Sequence, residues 1–100
     1  MNMEFTKTKQ NNRLTVAVTG RIDTETGGEL AELSYEFDGI RELIFDFTNV
    51  EYISSYGLRI LLDFQKHMSS EKKVMKILHP NKTVMQVFEM TGFNKILTIE

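Results

Sequence analysis

Apolar and polar positions change their period several times along the chain, and each change marks a new element. Leu14, Val16 and Val18 alternate with Thr15, Ala17 and Thr19, a period of two that predicts a half-buried strand with the first set turned to a core and the threonines outward. Phe5 to Lys9 is a candidate strand before it, and the polar Gln10-Asn11-Asn12 between them predicts a hairpin turn. Gly20 is expected to end the second strand. From Thr24 to Phe37 the spacing becomes helical, with Leu30, Leu33 and Phe37 on one face and Glu29, Glu32 and Glu36 on a solvated one. Gly27 and Gly28 weaken the start of that helix, since each costs about 1 kcal/mol relative to alanine. Asp38-Gly39 closes it.

The longest informative stretch runs from Leu43 to Leu62. Leu43 to Phe47 is apolar except at Asp46, and a run of that kind fits a strand covered on both faces. Asp46, the one charge in it, is expected either at an exposed end or bonded to donors in the loop that follows. From Gly57 the period is helical again. Gly57, Ile60, Leu61, Phe64 and Met68 form a stripe widened by Leu58 and Leu62, with Arg59, Asp63 and Lys66 opposite, so a helix begins near Ser55 and Ser54 or Ser55 can cap it. After the polar break Ser69 to Lys73, Val74 to Leu78 reads as another strand, stopped by His79-Pro80-Asn81. Asn81 can cap a third helix through about Thr91, with Val84, Val87, Phe88 and Thr91 on one face and Gly92 as its C-terminal cap. Lys95 to Ile99 is a short, β-prone tail read as a last strand. The alternation of strands and helices is that of an α/β fold.

Composition narrows the classes. One hundred residues suit one compact domain, 1–100, with no room for a second. With 41% hydrophobic and 26% charged residues, neither a disordered nor a fibrous chain is indicated. A net charge of -2 offers no basic footprint for a nucleic-acid backbone. Cysteine is absent, which excludes a disulfide framework and thiolate metal sites. Met1 to Lys7 lacks the apolar core of a secretory signal and no stretch is long enough to span a bilayer, so a cytoplasmic protein is expected.

Candidate chemistry centres on the two serines. A helix start has unpartnered amide donors and a partial positive charge, so a hydroxyl there can serve as a cap and is also well placed to carry a phosphoryl group. A serine hydrolase would need a base beside the nucleophile, often announced by Gly-x-Ser-x-Gly, and Ser54-Ser55-Tyr56-Gly57 has no leading glycine. His67 and His79 are isolated and lack the companions of a metal site. No Gly-rich phosphate loop is present. Met68, Met75, Met85 and Met90 are expected to fill the core or its margin. Tyr56 is either an exposed contact anchor or a cover for a hydrophobic edge. Arg59 forms an exposed ion pair with Asp63 or touches a partner.

The segment Phe47 to Leu62 resembles the signature of STAS domains, the family of anti-sigma factor antagonists. Gly20-Arg21-Ile22-Asp23 resembles the family's Gly-x-Leu-Asp turn, and Phe88 to Phe93 its closing Phe-x-x-Ser/Thr-Gly turn, so the likeness covers nearly the whole chain. It implies a mixed central sheet of four to five strands with three or more helices. It also implies a binding module, not an enzyme, with no catalytic residue, metal or cofactor of its own. Ser55 falls at the position phosphorylated by an anti-sigma serine kinase, which supplies ATP, and Ser54 at a position often held by Asp. The implied partner-binding residues are Asp23, Ser54, Ser55, Tyr56, Gly57 and Arg59, which would dock the kinase so that a sigma factor is released. Two alternatives stay open: an unmodified scaffold subunit of a regulatory or transport complex, which Ser54 in place of Asp favours, and a small hydrolase using Ser55.

Overall fold

In the computed structural model, residues 3–100 are described; Met1 and Asn2, the start of the segment read for a targeting signal, lie outside them. β1 (Met3–Gln10) and β2 (Arg13–Ile22) form the antiparallel hairpin, turning through Asn11 at φ 58°. β3 (Glu42–Ile53) pairs with β2 and β4 (Val74–Leu78) pairs with β3, both in parallel, giving a four-stranded mixed sheet in the order β1-β2-β3-β4. Parallel neighbours require crossovers. The first holds α1 (Gly27–Ala31) and a 3₁₀ helix (Glu32–Glu36), the second holds α2 (Ser55–Ser70), and α3 (Lys82–Thr91) follows β4.

Helices and sheet share one core. Leu14, Val16, Val18 and Ile22 of β2 and Leu43, Phe45 and Phe47 of β3 are buried with Leu30, Leu33, Phe37, Leu61, Phe64, Met68, Val84 and Phe88. The Phe45 ring stacks on Phe64 with centroids 6.1 Å apart, and Phe37 meets Phe64 edge-on at 5.0 Å, which locks the first crossover and α2 to the middle of the sheet. Asn81 caps α3 by accepting from the Val84 amide at 2.8 Å, while its side-chain amide donates to the Val50 carbonyl at 2.9 Å; Gly92 ends the helix at φ 80°.

Several expectations need correction. β3 is not covered on both faces. Thr15, Ala17, Asp46, Lys76 and Leu78 are only half-buried, and Ile44, at 7% exposure, lies outside the core that the helices share. Its apolar side chain is sheltered by its register neighbours Thr15 and Lys76, which lets a one-sided strand read as a continuous apolar run.

Gly20 does not end β2, which continues to Ile22. Ala17 pairs with Asp46 but Thr19 with Asn49, and Gly20 pairs with Val50 but Arg21 with Tyr52, so β3 carries one extra residue at each of two bulges. Gly20, at φ 98°, sits at the second. The bulges carry the inward positions from Leu43, Phe45 and Phe47 on to Val50 and Ile53, so the period of two breaks while the buried face is kept.

Asp46 is neither at a strand end nor bonded to the serine loop. Its Oδ1 accepts from the amide of Thr48 at 3.0 Å and from the Thr48 hydroxyl, pinning the first bulge. These bonds hold its carboxyl below the usual carboxylate value against a smaller opposing push from burial.

The helix expected over 24–37 begins only at Gly27 and tightens to 3₁₀ at Glu32, where the spacing of three between Leu30 and Leu33 suits the tighter winding. Glu36 pairs with Lys7 across from β1. The tail is not a strand: a 3₁₀ turn (Phe93–Lys95) leads to a single parallel bridge between Ile77 and Ile99, because only Thr98 and Glu100 exchange backbone bonds with β4. Met68 and Met75 are buried and Met85 half-buried as core fillers, but Met90 is 86% exposed on the far side of α3.

Asp46→Asn is expected to destabilise the protein by about 0.5–1 kcal/mol near neutral pH, after solvent screening of a half-exposed charge. Because the folded carboxyl titrates below its ordinary value of 3.8, the contribution is fully present above that pH and disappears as pH falls through the lower folded value. Urea melts of both forms from pH 7 down to 2 should therefore converge at the acid end; a difference that persists there would contradict the assignment.

Candidate functional site

The parallel pairing of β2 with β3 ends at Ile22 opposite Ile53, and the Ser54 amide donates to the Ile22 carbonyl at 2.8 Å. Two chain exits therefore open side by side at the carboxyl ends of the strands, where open α/β sheets place their sites.

The first exit is the Asp23 turn. Asp23 Oδ1 accepts from the amides of Glu25 and Thr26 at 3.0 and 3.1 Å and lies 3.1 Å from the Thr26 hydroxyl oxygen. The Thr26 hydroxyl donates to the Arg21 carbonyl at 2.7 Å and accepts from the Asp23 amide at 3.0 Å, a reciprocal arrangement resembling a capping box. Desolvation pushes the Asp23 carboxyl up, but the bonds from Thr26 and Glu25 and the nearby Arg21 together outweigh it and hold it below the usual carboxylate value. Arg21 lies 3.9 Å from Asp23 Oδ2 and stacks over the Tyr52 ring at 4.4 Å, so the turn carries a fixed anion next to an anchored cation.

The second exit is the serine loop. Ser54, in extended conformation at φ -86° and ψ 172°, caps α2: its hydroxyl accepts from the Gly57 amide at 3.2 Å, and its carbonyl accepts from the Leu58 amide at 2.9 Å. Ser55 is the first helical residue and is exposed, its hydroxyl having no hydrogen-bond partner among the described residues. Gly57 is buried against the strand ends. A Cβ there would lie 2.7 Å from Ile53 Cγ1, 2.8 Å from Ile22 Cγ2 and 3.2 Å from the Ile22 carbonyl oxygen. Tyr56 is 41% exposed, yet one edge of its ring covers Gly27 at the start of α1.

The structure thus gathers Asp23, Ser54, Ser55, Tyr56 and Gly57 at one end of the molecule. Arg59 lies one turn further along α2, highly exposed, with its Nε 3.7 Å from Asp63 Oδ1. Sequence reasoning missed Thr26 and Gly27. The Asp23-x-x-Thr26 spacing signalled the first, and the glycine pair was read only as a weakness of the helix.

Among the described residues no base is hydrogen-bonded to the Ser55 hydroxyl. His67 follows twelve positions later on the same helix, about 18 Å away at 1.5 Å per residue, and its ring packs on Phe37. Among the described residues no group of three or more His, Cys, Asp and Glu is placed to hold a metal ion, and no helix is long and apolar enough to cross a membrane.

The STAS domain profile matches residues 4–100. The chain is 29% identical over 101 residues to the anti-sigma-B factor antagonist of Staphylococcus aureus (strain NCTC 8325 / PS 47), covering 99% of this chain and 94% of that protein. Its fold is that of the anti-sigma factor antagonist SpoIIAA: the unphosphorylated form superposes with a TM-score of 0.83 at 15% identity, covering 97% of this chain and 88% of that one. The phosphorylated form of the Bacillus protein superposes with a TM-score of 0.77 at 15% identity, covering 97% and 91%.

The two serines should separate in stability measurements. Ser54→Ala is expected to cost about 1 kcal/mol as a lost cap, and Ser55→Ala within about 0.5 kcal/mol of nothing. Equal losses in chemical denaturation would overturn the capping assignment. Gly57→Ala is expected to cost about 1–3 kcal/mol, since one of the atoms it meets is backbone and cannot rotate away. A thermal melt unchanged from the parent would show that the strand ends can yield.

Proposed function

The chain belongs to the STAS domain family, and from that premise we propose that it is an anti-sigma factor antagonist, a binding module and not an enzyme, switched by phosphorylation of Ser55. In this reading residues 1–100 act as one STAS domain in the cytoplasm. The unmodified end of the molecule formed by the Asp23 turn, the serine loop and the exposed face of α2 through Arg59 docks an anti-sigma serine kinase, and a sigma factor is released. The kinase supplies ATP, so the chain needs no cofactor.

The observation that carries the proposal is the division of labour between adjacent hydroxyls: Ser54 is consumed as the cap, while Ser55 stays exposed beside it in the first turn of α2. The amide donors and dipole of a sixteen-residue helix make a dianion tolerable at that point. The same dianion, adding about -1.5 to -2 charge, makes the surface costly to desolvate against a partner that had fitted a neutral serine. SpoIIAA, whose fold this chain shares, exists in both unphosphorylated and phosphorylated forms.

The test is incubation with the partner kinase and ATP followed by intact-mass measurement and binding. Wild type is expected to gain one phosphate on Ser55 and then to lose affinity for the kinase. Ser55→Ala should remain folded, accept no phosphate and stay bound; Ser55→Asp should bind more weakly, with a partial effect because it carries about half the charge. Phosphate on Ser54 or Tyr56, or binding indifferent to both substitutions, would leave the unmodified scaffold as the better account. Labelling of Ser55 by a fluorophosphonate would instead require an activated hydroxyl.

A further inference from the structure

We infer that Tyr56 is a specificity determinant of the serine surface and that Gly27, in a different element, sets its position. The inference rests on the docking role proposed above and adds to it a feature of partner choice: an aromatic knob beside Ser55 that calls for an apolar recess in the partner.

A Cβ at Gly27 would stand 2.9 Å from both Cδ2 and Cε2 of Tyr56 and 3.1 Å from Ile60 Cδ1. No side chain fits in that space, so only glycine lets the ring lie down on the start of α1. One edge of the ring thereby rests against Gly27 while 41% of the residue stays open to solvent. A large aromatic side chain held in one orientation and still accessible loses little rotamer freedom when a partner covers it, which is what makes tyrosine effective as an anchor. Gly27 is in ordinary helical conformation, with no positive φ, so its lack of a side chain answers the ring and not the backbone. Gly28, one residue on in the same helix, has open space where its Cβ would be, and therefore serves as an internal control.

Ring-current shifts read the contact and kinase binding reads the role. In the free protein the Gly27 amide proton should carry an aromatic shift that disappears in Tyr56→Ser, moves in Gly27→Ala, and persists in Tyr56→Phe and Gly28→Ala. Affinity for the partner kinase should fall about tenfold or more in Tyr56→Ser and comparably in Gly27→Ala, with Tyr56→Phe and Gly28→Ala close to wild type. Adding Gly27→Ala to Tyr56→Ser should cause no further loss, because the ring it displaces is gone. Equal effects of Gly27→Ala and Gly28→Ala, or additive losses in the double variant, would overturn the coupling. A Gly27 shift unaffected by Tyr56→Ser would remove the contact itself. Wild type that neither binds the kinase nor accepts phosphate defeats the docking reading and with it the specificity role, an outcome distinguishable because the ring-current measurement needs no partner.

Discussion

The hydrogen bond from the Ser54 amide to the Ile22 carbonyl is the constraint on which the rest of the site depends. It is the last rung of the parallel β2 and β3 pairing, and it brings the residue that leaves β2 and the residue that leaves β3 to the same point. The residues proposed for the site follow by short covalent reach: Asp23 is next after Ile22, and Ser55 is next after Ser54. The bond also explains why Gly57 tolerates no side chain. With the first turn of α2 drawn down onto the ends of both strands, the helix meets Ile22 and Ile53 too closely for any Cβ.

Two bulges make that rung possible. Strict alternation after Phe47 would turn Asn49 inward and Val50 outward; the first bulge turns Val50 inward, and the second lets Ile53 follow it at a spacing of three. Each inserted residue advances β3 by one relative to β2, so that Val50 and Ile53 still point inward. Asp46 belongs to this device: by accepting two bonds from Thr48 it pays for its own desolvation and holds the first bulge closed. A charge that looks misplaced in an apolar strand is therefore local scaffolding for a loop eight residues away.

Much of the fold was legible because period and burial coincide. Leu14, Val16 and Val18, the α2 stripe, a serine cap at Ser54 or Ser55 and the Asn81 cap follow from spacing and from the donors that a helix start leaves free, and the structure assigns the first cap to Ser54. What was not legible depends on register or on contacts between distant segments. Gly20 read as a terminator because a bulge glycine and a turn glycine are alike in sequence. Ile44 counted as evidence for a second covered face, although neighbouring strands alone can shelter one isoleucine. The tail after Lys95 has the composition of a strand but too few backbone partners to be one. At the site, the residues of the serine loop were marked by their neighbours in the chain, whereas Gly27 was not, because its partner Tyr56 is twenty-nine positions away.

The charge around the site decides how a switch there would act. From Ile22 to Ile40 the chain holds Asp23, Glu25, Glu29, Glu32, Glu36 and Asp38 and no lysine or arginine, so the first crossover is acidic before any modification. One more dianion changes the distant field of such a surface modestly, and at physiological salt that field is screened beyond about 8 Å. A phosphoryl group on Ser55 must therefore work at contact distance, through the desolvation that a docked partner would impose on it and through displacement of whatever had packed on the bare hydroxyl. Such a switch is only as sharp as the contact surface is rigid. The capped helix start, the buried Gly57 and the ring of Tyr56 held against Gly27 supply that rigidity, which is why the structural residues around Ser55 carry as much of the proposed regulation as the serine does.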